Sequence, residues 1–497
     1  MVTRVRFARM ARLLIGFALA TAPLLAQAPA TADPEAALAR ALESVRTERI
    51  VADVFYVACD DMGGRDTPST GQRLTARFIK NRLQRLGWKP GAKDGWMHTY
   101  PLSHRRVKEP ETRAVVQRGE QRIELEFGRD YFFNVRDLEP LDLGAGVVYC
   151  GRGSKDELAS AAAVKGKWAL CVDPGDGGRA IEGDVRANGA VGMVLMQPHG
   201  ADARGYEEGF GPSLMVLRRG RTSWPDRDDP RKTPFFPRVY LARDAAARLL
   251  ALAGAGSPGP GEELPIRFSD TRRLHGNGEV ICENVCGWWP GSDPVLKKEA
   301  IIISAHYDHV GIGSDGQVFN GADDNGSGTC GLLALAEALV FEGPLRRSVL
   351  LLWVSGEEIG LYGSQAWSAA PWLPGDARAI ANINVDMIGR NTPDQILVTP
   401  SRDHTAYNGL TRLAERFAAD EGFTRVGSAD AYYNRSDQAN FAKLGIPVTF
   451  LFSDIHEDYH RPTDDPEKLD GDKVRRTIRL ILRMLSAMQD DDPALVR

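Results

Sequence analysis

Residues 304–311, with the sequence SAHYDHVG, carry two histidines and an aspartate directly after an apolar run. The preceding letters, EAIIIS, are typical of a buried strand. Imidazole nitrogens and carboxylate oxygens are groups that bind metal ions and transfer protons. We therefore expect His306 and Asp308, which close this strand, to belong to a chemical site.

Similar side chains follow three later apolar runs. Glu357 and Glu358 follow SVLLLWVS, Asp386 ends AIANINV, and His456 and His460 follow IPVTFLFSD. In an open α/β sheet, ligands bind in the crevice outside the carboxyl ends of the strands. All of these residues are expected on that rim. Taken singly, most of them have an ordinary structural explanation, although a carboxylate that ends an apolar run, as Asp386 does, needs a partner. Their coincidence on one rim predicts a metal site.

The segment NGADDNGSG, residues 320–328, lies between the first of these strands and a helix. Either Asp323 or Asp324 could cap that helix, and either could face the crevice. Histidines mixed with carboxylates and without thiolates favour zinc, with manganese or cobalt as substitutes. Two histidines and three carboxylates are more ligands than one tetrahedral zinc ion with an open position can bind. They suit two ions that share a bridging ligand. One glutamate of the adjacent pair then remains to accept a proton from water.

The elements that must position these residues alternate regularly in the last 230 residues. Apolar runs typical of strands alternate with helical segments such as SGTCGLLALAEALVFEG. This order predicts a doubly wound, mostly parallel mixed sheet with helices on both faces, an α/β fold. Two further amphipathic helices are expected before residue 90.

Between residues 112 and 264 the sequence changes to short β-like runs separated by glycines, such as KGKWALCVD and AVGMVLMQ. A Gly/Pro-rich segment from Ala253 to Pro265 is typical of a linker. We therefore expect a β-rich domain at 112–265, inserted between two parts of the α/β domain at 33–111 and 266–497.

The first 32 residues form a separate segment. Four arginines precede the apolar LLIGFALATAPLLA, and the small residues ATA follow. This pattern predicts a signal peptide at 1–32, and thus a secreted or periplasmic protein with no stable membrane insertion after cleavage. The apolar run is shorter than the roughly 20 residues that span a bilayer.

The formal net charge of -4 over 497 residues, without a long basic run in the remainder of the chain, argues against nucleic acid as a partner. Six cysteines are too few for a disulfide scaffold in a chain of this length, and Cys282 and Cys286 do not have a zinc-site spacing. Buried thiols are expected.

Five motifs together resemble the secreted dizinc aminopeptidases, a family that includes glutamate carboxypeptidase-like enzymes and is related to glutaminyl cyclases. These motifs are, in order, SAHYDHVG, GADDNGSGT, SGEEIGLYGS, NVDMIG and DYHRPTDD. The resemblance implies two zinc ions per chain, with His306 and Asp386 on the first, Glu358 and His460 on the second, and Asp324 bridging them.

The same resemblance implies roles for the remaining residues of these motifs. Glu357 would be the general base, and Asp308 would orient the imidazole of His306. Tyr459, from its position beside His460, either helps to stabilise the oxyanion or packs there. Ser436 and Asp437 resemble a family segment near the substrate pocket, although this chain has Gln438 where the family often has histidine. The residues left as structural are His309 and His456, while Asp464 could support the site or simply form a turn.

The inserted region resembles a protease-associated domain, in which VKGKWALCVD and ANGAVGMVL would be strand and helix-strand segments. The expected activity is that of a zinc-dependent exopeptidase, an aminopeptidase that releases N-terminal residues from peptides. The alternatives are a carboxypeptidase or dipeptidase of the glutamate carboxypeptidase type, a glutaminyl cyclase, and an inactive binding protein.

Overall fold

Two β-sheets organise the chain. The computed structural model describes residues 33–134, 138–197, 213–214, 216–218, 220–225, 235–275, 279–313 and 315–490. The predicted signal peptide lies outside the described residues. In these ranges no helix has the length and apolar character needed to cross a bilayer.

Strands are numbered in chain order. The main sheet contains β1 Lys89–Pro90, β2 Met97–Val107, β9 Arg221–Ser223, β12 Leu274–His275, β13 Glu279–Trp289, β14 Glu299–His306, β15 Ser348–Val354, β16 Arg378–Val385, β17 Gln395–Thr399, β18 Arg425–Ser428 and β19 Val448–Phe452. The second sheet contains β3 Arg113–Arg118, β4 Gln121–Leu125, β5 Tyr131–Phe133, β6 Leu141–Tyr149, β7 Trp168–Val172, β8 Gly192–Met196, β10 Arg238–Leu241 and β11 Glu263–Arg272.

The α-helices are α1 Pro34–Ser44, α2 Thr47–Val57, α3 Thr70–Arg85, α4 Lys155–Ala159, α5 Arg179–Ala187, α6 Arg243–Ala253, α7 Gly328–Glu342, α8 Tyr362–Ala369, α9 Gly409–Phe417, α10 Gln438–Lys443 and α11 Gly471–Ala487. Helix α7 is the central one because nearly all of its Leu/Ala-rich surface is buried. Its first turn is held by Asn325, whose side-chain oxygen accepts a hydrogen bond from the Gly328 amide at 2.9 Å.

The main sheet runs in the order β12-β2-β13-β15-β14-β16-β19-β17-β18. Strands β15, β14, β16 and β19 are parallel neighbours, whereas β13 and β17 pair antiparallel on either side of them. The main sheet is thus a mixed α/β sheet, and its four central strands form the parallel block that the strand-helix alternation predicted. The sequence analysis did not anticipate the antiparallel flanking strands β2, β13 and β17.

Successive residues of β14 pack on opposite faces of the sheet, as the period of two along a strand requires. Ile301 and Ile303 lie in the large core under helices α1, α2, α7 and α11, whereas Ile302 lies in a smaller core with Trp367 and Phe441 of α8 and α10. Because both faces are covered, the central strands read as continuous apolar runs. Each such buried side chain contributes about 1.5–3 kcal/mol.

The second sheet has a hydrophobic core of its own, built around Trp168 and Phe268. Strand β11 lies between β3 and β6 in this sheet, with Leu264, Ile266 and Phe268 buried along one face. The domain boundary predicted at residue 265 therefore falls inside a strand of the second sheet. The apolar alternation after the Gly/Pro-rich segment belongs to the inserted region, which extends to Arg272.

Candidate metal centre

The carboxyl ends of four adjacent strands bring the predicted residues together. His306 is the last residue of β14, and Glu357 and Glu358 follow β15 through the turn at Gly356. Asp386 directly follows β16. The loop after β19 contributes His460. Neighbouring parallel strands end side by side. Residues 154 positions apart in sequence, such as His306 and His460, therefore meet at one rim.

One cluster forms around His306, which is almost fully buried. Its Nε2 lies 3.2 Å from Oδ1 of Asp386 and 3.4 Å from Oδ1 of Asp324. Its Nδ1 lies 3.1 Å from the backbone carbonyl of Asp308. A carbonyl can only accept, so Nδ1 donates to it, and Nε2 is the ring nitrogen that faces the two carboxylates and could bind a metal ion.

The expected contact between the Asp308 carboxylate and the His306 imidazole is longer than the backbone contact. Oδ1 of Asp308 lies 3.8 Å from Nδ1 of His306. That oxygen also accepts a hydrogen bond from the backbone amide of Glu357 at 3.3 Å. Asp308 thus orients the imidazole chiefly through its main chain, while its carboxylate connects the His306 loop to the turn that carries the two glutamates.

A second cluster forms on the other side of Asp324. Oδ2 of Asp324 lies 3.2 Å from Nε2 of His460, and Oε2 of Glu358 lies 2.9 Å from the same nitrogen. The two oxygens of Asp324 therefore face different histidines, His306 and His460. A carboxylate in this position can bind one ion on each side.

The structure adds His309 to this second cluster, although the sequence analysis left it as structural. Nδ1 of His309 lies 2.8 Å from Oε1 of Glu358 and 3.7 Å from Oδ2 of Asp324. His309, Asp324 and Glu358 have ligand atoms close enough together to hold one ion, as do His306, Asp324 and Asp386. The signal available in the sequence was the position of His309 three residues after His306, at the same strand end.

The side-chain atoms of the second cluster that could bind a metal ion are better placed to bind a cation than to form hydrogen bonds with one another. Oδ2 of Asp324 and Nε2 of His460 are buried, and neither has a hydrogen-bond partner among the described residues. Burial and the nearby charge of Glu358 raise the pKa of Asp324. Although burial opposes it, contact with Asp324 and Glu358 raises the pKa of His460 to about 10. A buried excess of carboxylates is the environment that divalent cations neutralise.

Glu357 is the glutamate of the pair that belongs to neither three-residue cluster, yet it lines the same cavity. Burial raises its pKa well above the ordinary value, and the charges of Glu358 and Asp386 add to this effect, whereas His306 opposes it. Gly356 precedes the pair with φ of 74°, a conformation that glycine adopts without strain. The turn therefore aims two adjacent carboxylates in different directions.

Residues outside the two clusters fix the loop that carries Asp324. The carboxylate of Asp464 accepts hydrogen bonds from the backbone amides of both Asp323 and Asp324. The shortest nitrogen-to-oxygen distance is 3.1 Å for each amide. Oδ1 of Asp323 turns away and accepts from the Gly389 amide at 2.7 Å. Of the two adjacent aspartates, Asp324 is thus the one whose side chain faces the histidines.

Ser436 supports the other carboxylate ligand candidate. Its hydroxyl donates to Oδ2 of Asp386 at 2.9 Å. Gln438 is buried and accepts from the Asn384 side chain, so it lies in the supporting network and not among the facing ligands. Asp437 is also buried, and this burial raises its pKa to about 7. His456 lies 3.4 Å from Asp323, outside both clusters.

A narrow cavity opens beside the clusters. Its lining combines the carboxylates Asp324, Glu357, Glu358 and Asp386 with an apolar wall of Met387, Tyr432, Phe450, Phe452, Ile455 and Tyr459. Tyr459 stacks on the His460 ring, with centroids 3.9 Å apart. The free volume is about 40 Å³. Since a buried water needs roughly 10–15 Å³ of such space, the cavity has room for about three water-sized groups, as in a branched aliphatic side chain.

The fold and this pair of clusters define an α/β protein with a candidate two-metal centre. Residues 284–485, the part of the chain that carries the metal-ligand candidates, match the model of peptidase family M28. The inserted region lies outside the matched segment.

Two curated relatives come from Arthroderma otae. A leucine aminopeptidase 2 is 31% identical over 294 residues, which are 52% of this chain and 55% of that protein. A probable leucine aminopeptidase is 27% identical over 198 residues, 38% of this chain and 54% of that protein. The chain thus spans about half the length of the curated relatives it matches.

The fold is shared with solved structures over nearly the whole chain. An aminopeptidase from Aneurinibacillus sp. strain AM-1 superposes with a TM-score of 0.55 at 18% identity and covers 93% of this chain and 98% of its own. A zinc aminopeptidase from Bacillus subtilis gives a TM-score of 0.53 at 17% identity, with 88% and 94% covered. At these identities the likeness shows the shared fold.

Proposed function

We propose that the protein is an aminopeptidase that uses two zinc ions per chain to release N-terminal residues from peptides. The observation that carries this proposal is the shared carboxylate of Asp324, which faces His306 with one oxygen and His460 with the other. The names of the curated relatives and of the Bacillus subtilis structure support the activity and the metal.

In this proposal His306 and Asp386 would hold one zinc ion, Glu358 and His460 would hold the other, and Asp324 would be shared between the two. His309 is placed to orient Glu358 or to bind beside it, through the 2.8 Å contact of its Nδ1. When bound, zinc supplies a Lewis acid that polarises the scissile carbonyl and makes the attacking water more acidic.

Glu357 accepts the proton of the attacking water at its carboxylate and returns it to the leaving amine. A raised pKa suits this role, because a general base works best when its pKa approaches the working pH. The hydroxyl of Tyr459 remains protonated, since burial raises its pKa, and it can donate to the developing oxyanion. Asp308 and Ser436 keep His306 and Asp386 in position through the contacts described above.

The cavity favours a substrate with a free amino terminus. Glu357, the lining carboxylate that is not assigned to zinc, can attract the ammonium group of a substrate and repel a C-terminal carboxylate. The apolar wall formed by Met387, Phe450, Phe452 and their neighbours accommodates the side chain of the N-terminal residue. We therefore expect a preference for aliphatic residues such as leucine at this position.

A carboxypeptidase or dipeptidase for acidic substrates has one observation in its favour. Arg435 lines the cavity and is the single basic residue among its described lining residues. Its guanidinium lies 5.2 Å from the centroid of the Tyr432 ring. Because this single arginine is its sole support among the described lining residues, acidic specificity is the weaker candidate.

The proposal extends to the amino-terminal segment and to the inserted region. Residues 1–32 have the charge and length pattern that supports export, so the mature protein is proposed to be secreted or periplasmic. The separate core of the second sheet supports the assignment of the insertion as a domain of its own, of the protease-associated type.

The decisive experiment compares leucine p-nitroanilide with its N-acetylated form, using purified protein before and after chelation. Hydrolysis of the free-amine substrate alone, lost with chelator and restored by zinc, supports the aminopeptidase. Hydrolysis of N-acetylated acidic dipeptides with no activity on leucine p-nitroanilide would identify the carboxypeptidase instead. Activity that survives complete metal removal would contradict both.

A further inference from the structure

Two of the six cysteines lie side by side in the second sheet. Strands β6 and β7 pair in parallel, and Tyr149 opposite Leu170 is the last pair of their register. Cys150 and Cys171 are the next residues along the two segments, so they lie opposite each other. Because side chains at the same level of neighbouring strands point to the same face, the two thiols share one face of the sheet.

Backbone hydrogen bonds flank this pair. The Cys150 amide donates to the Leu170 carbonyl at 2.9 Å, and the Val172 amide donates to the Gly151 carbonyl at 2.7 Å. Neighbouring strands lie about 4.8 Å apart, and the Cα atoms of disulfide-bonded cysteines are usually about 4.4–6.8 Å apart. The backbone therefore has a separation that a disulfide can bridge without displacement of either strand.

The two thiols also contact each other. Both side chains are fully buried in the core of the second sheet. A hydrogen bond from the Cys171 thiol lowers the pKa of Cys150, and the same contact together with burial raises the pKa of Cys171 well above its ordinary value. The side chains thus point toward each other, as the two halves of a disulfide must.

The other four cysteines lie outside the second sheet. Cys282 and Cys286 are four residues apart on β13, which separates their Cα atoms by about 13 Å, too far for a disulfide. Cys330 is buried in α7, and the Cys59 thiol donates to the Tyr56 carbonyl at 3.2 Å. Among the described cysteines, Cys150 and Cys171 are the pair that neighbouring strands bring together.

We propose that Cys150 and Cys171 form a disulfide bond in the exported protein, which makes the pair an oxidative modification site of the inserted region. The inference rests on the proposed export, because disulfides persist in the periplasm and outside the cell. It does not depend on the proposed peptidase activity. The bond closes the segment 151–170, which leaves β6, forms α4 and returns to β7.

The bond forms by thiol–disulfide exchange while the region folds, since both sulfurs are buried afterwards. The thiolate of one cysteine attacks a sulfur of an oxidant disulfide, that of oxidised glutathione or of a thiol oxidoreductase, and releases one thiol. The thiolate of the other cysteine then attacks the mixed disulfide, forms the bond between Cys150 and Cys171, and releases the second thiol. The two protein thiols are oxidised, the oxidant disulfide is reduced, and the two protons end on the released thiols.

The test counts thiols in the full-length protein after export to a bacterial periplasm. The protein is denatured and alkylated with iodoacetamide before or after reduction, and mass spectrometry gives the number of alkylated cysteines. Four of the six cysteines should react before reduction and all six after it. Peptide mapping without reduction should show the peptides of Cys150 and Cys171 joined. Six reactive cysteines before reduction, or a bond between other cysteines, would overturn the inference.

Refolding of the reduced chain with oxidised glutathione separates the inference from the proposed export. The mass of the exported protein shows whether residues 1–32 have been removed. A chain that keeps them and stays in the cytoplasm would refute the proposed export. The refolded protein then decides the inference about the pair, because four reactive cysteines before reduction support it and six overturn it.

Cys282→Ala is the matched control and should keep the bond, with three reactive cysteines before reduction and five after it. Wild type refolded under reducing conditions should have a Tm about 5–10 °C below that of the oxidised protein, because a disulfide across a loop of this length restricts the unfolded chain. The double variant Cys150→Ala, Cys171→Ala should have the same Tm under both conditions. An equal drop of Tm in the double variant would assign the effect to other cysteines and overturn the inference.

Discussion

The carboxylate of Asp324 and the imidazole of His460 lie 3.2 Å apart, yet neither facing atom has a hydrogen-bond partner among the described residues. The other oxygen of Asp324 faces His306. A buried carboxylate oxygen and a buried ring nitrogen that face each other at this distance without a well-formed hydrogen bond leave a position that a cation can fill. The relationship makes Asp324 the residue on which both proposed ions depend.

We expect Asp324→Ala to reduce the zinc content from two ions per chain to one or fewer, and to lower turnover by at least about 10³-fold. The variant removes one ligand from each ion together with the negative charge between them. Metal analysis of the purified protein and leucine p-nitroanilide turnover measure the two effects. Asp323→Asn keeps the oxygen that accepts from Gly389 and should retain both ions. The opposite pattern would make Asp323 the bridging residue.

Replacing each of the two adjacent glutamates by glutamine should change turnover and zinc content in different ways. Glu357→Gln keeps the shape but removes the base, so turnover should fall by a factor on the order of 10² to 10⁴ with both metals retained. Glu358→Gln should weaken the zinc ion shared with His460, and excess zinc should restore part of its activity. Zinc content and turnover of both variants decide the assignment. Metal loss confined to Glu357→Gln would reverse it.

His309 should affect the second ion and not the first. Its contact with Glu358 either orients that ligand or adds a ligand, so His309→Ala should weaken the second zinc by about 10- to 100-fold. Zinc titration of the apoprotein, followed by activity, resolves the two binding steps. His275→Ala, on the exposed edge strand β12, serves as control. Two unchanged zinc affinities in His309→Ala would restore the structural role first assigned to it.

Stability should depend on pH through Glu342, near the C-terminus of α7. Burial raises the pKa of Glu342 to about 7 from an ordinary 4.5. One of its oxygens has no hydrogen-bond partner in the described part of the chain. The folded state therefore favours the protonated form, and its contribution to stability is complete below about pH 4.5 and is lost as the pH rises through about 7.

Glu342→Gln should accordingly stabilise the protein at pH 8, by about 2–3 kcal/mol at most, and have little effect at pH 4. A negative charge at a helix C-terminus is also unfavourable, which acts in the same direction. Thermal unfolding at the two pH values measures the difference in Tm. Glu43→Gln, exposed near the end of α1, is the matched control and should show no such pH dependence. Equal Tm shifts at both pH values would exclude titration of Glu342 as the cause.

The sequence by itself determined the elements and the chemistry of the rim. Short apolar runs such as residues 299–304 and 348–355, alternating with helical segments, indicate strands covered on both faces, whose polar ends are expected at the carboxyl edge of a parallel sheet. His306, Asp324, Glu358, Asp386 and His460 followed from this rule together with the motif resemblance. Local patterns carry this information because strand period and strand end are both local properties.

Only the tertiary structure decided which neighbours complete the site. His309 reaches Glu358 because two loops from adjacent strands pack together, and nothing in the spacing of either loop fixes that contact. The same holds for Asp464 beneath the Asp324 loop. Such contacts depend on how separate segments pack in three dimensions, and a linear pattern does not encode that packing.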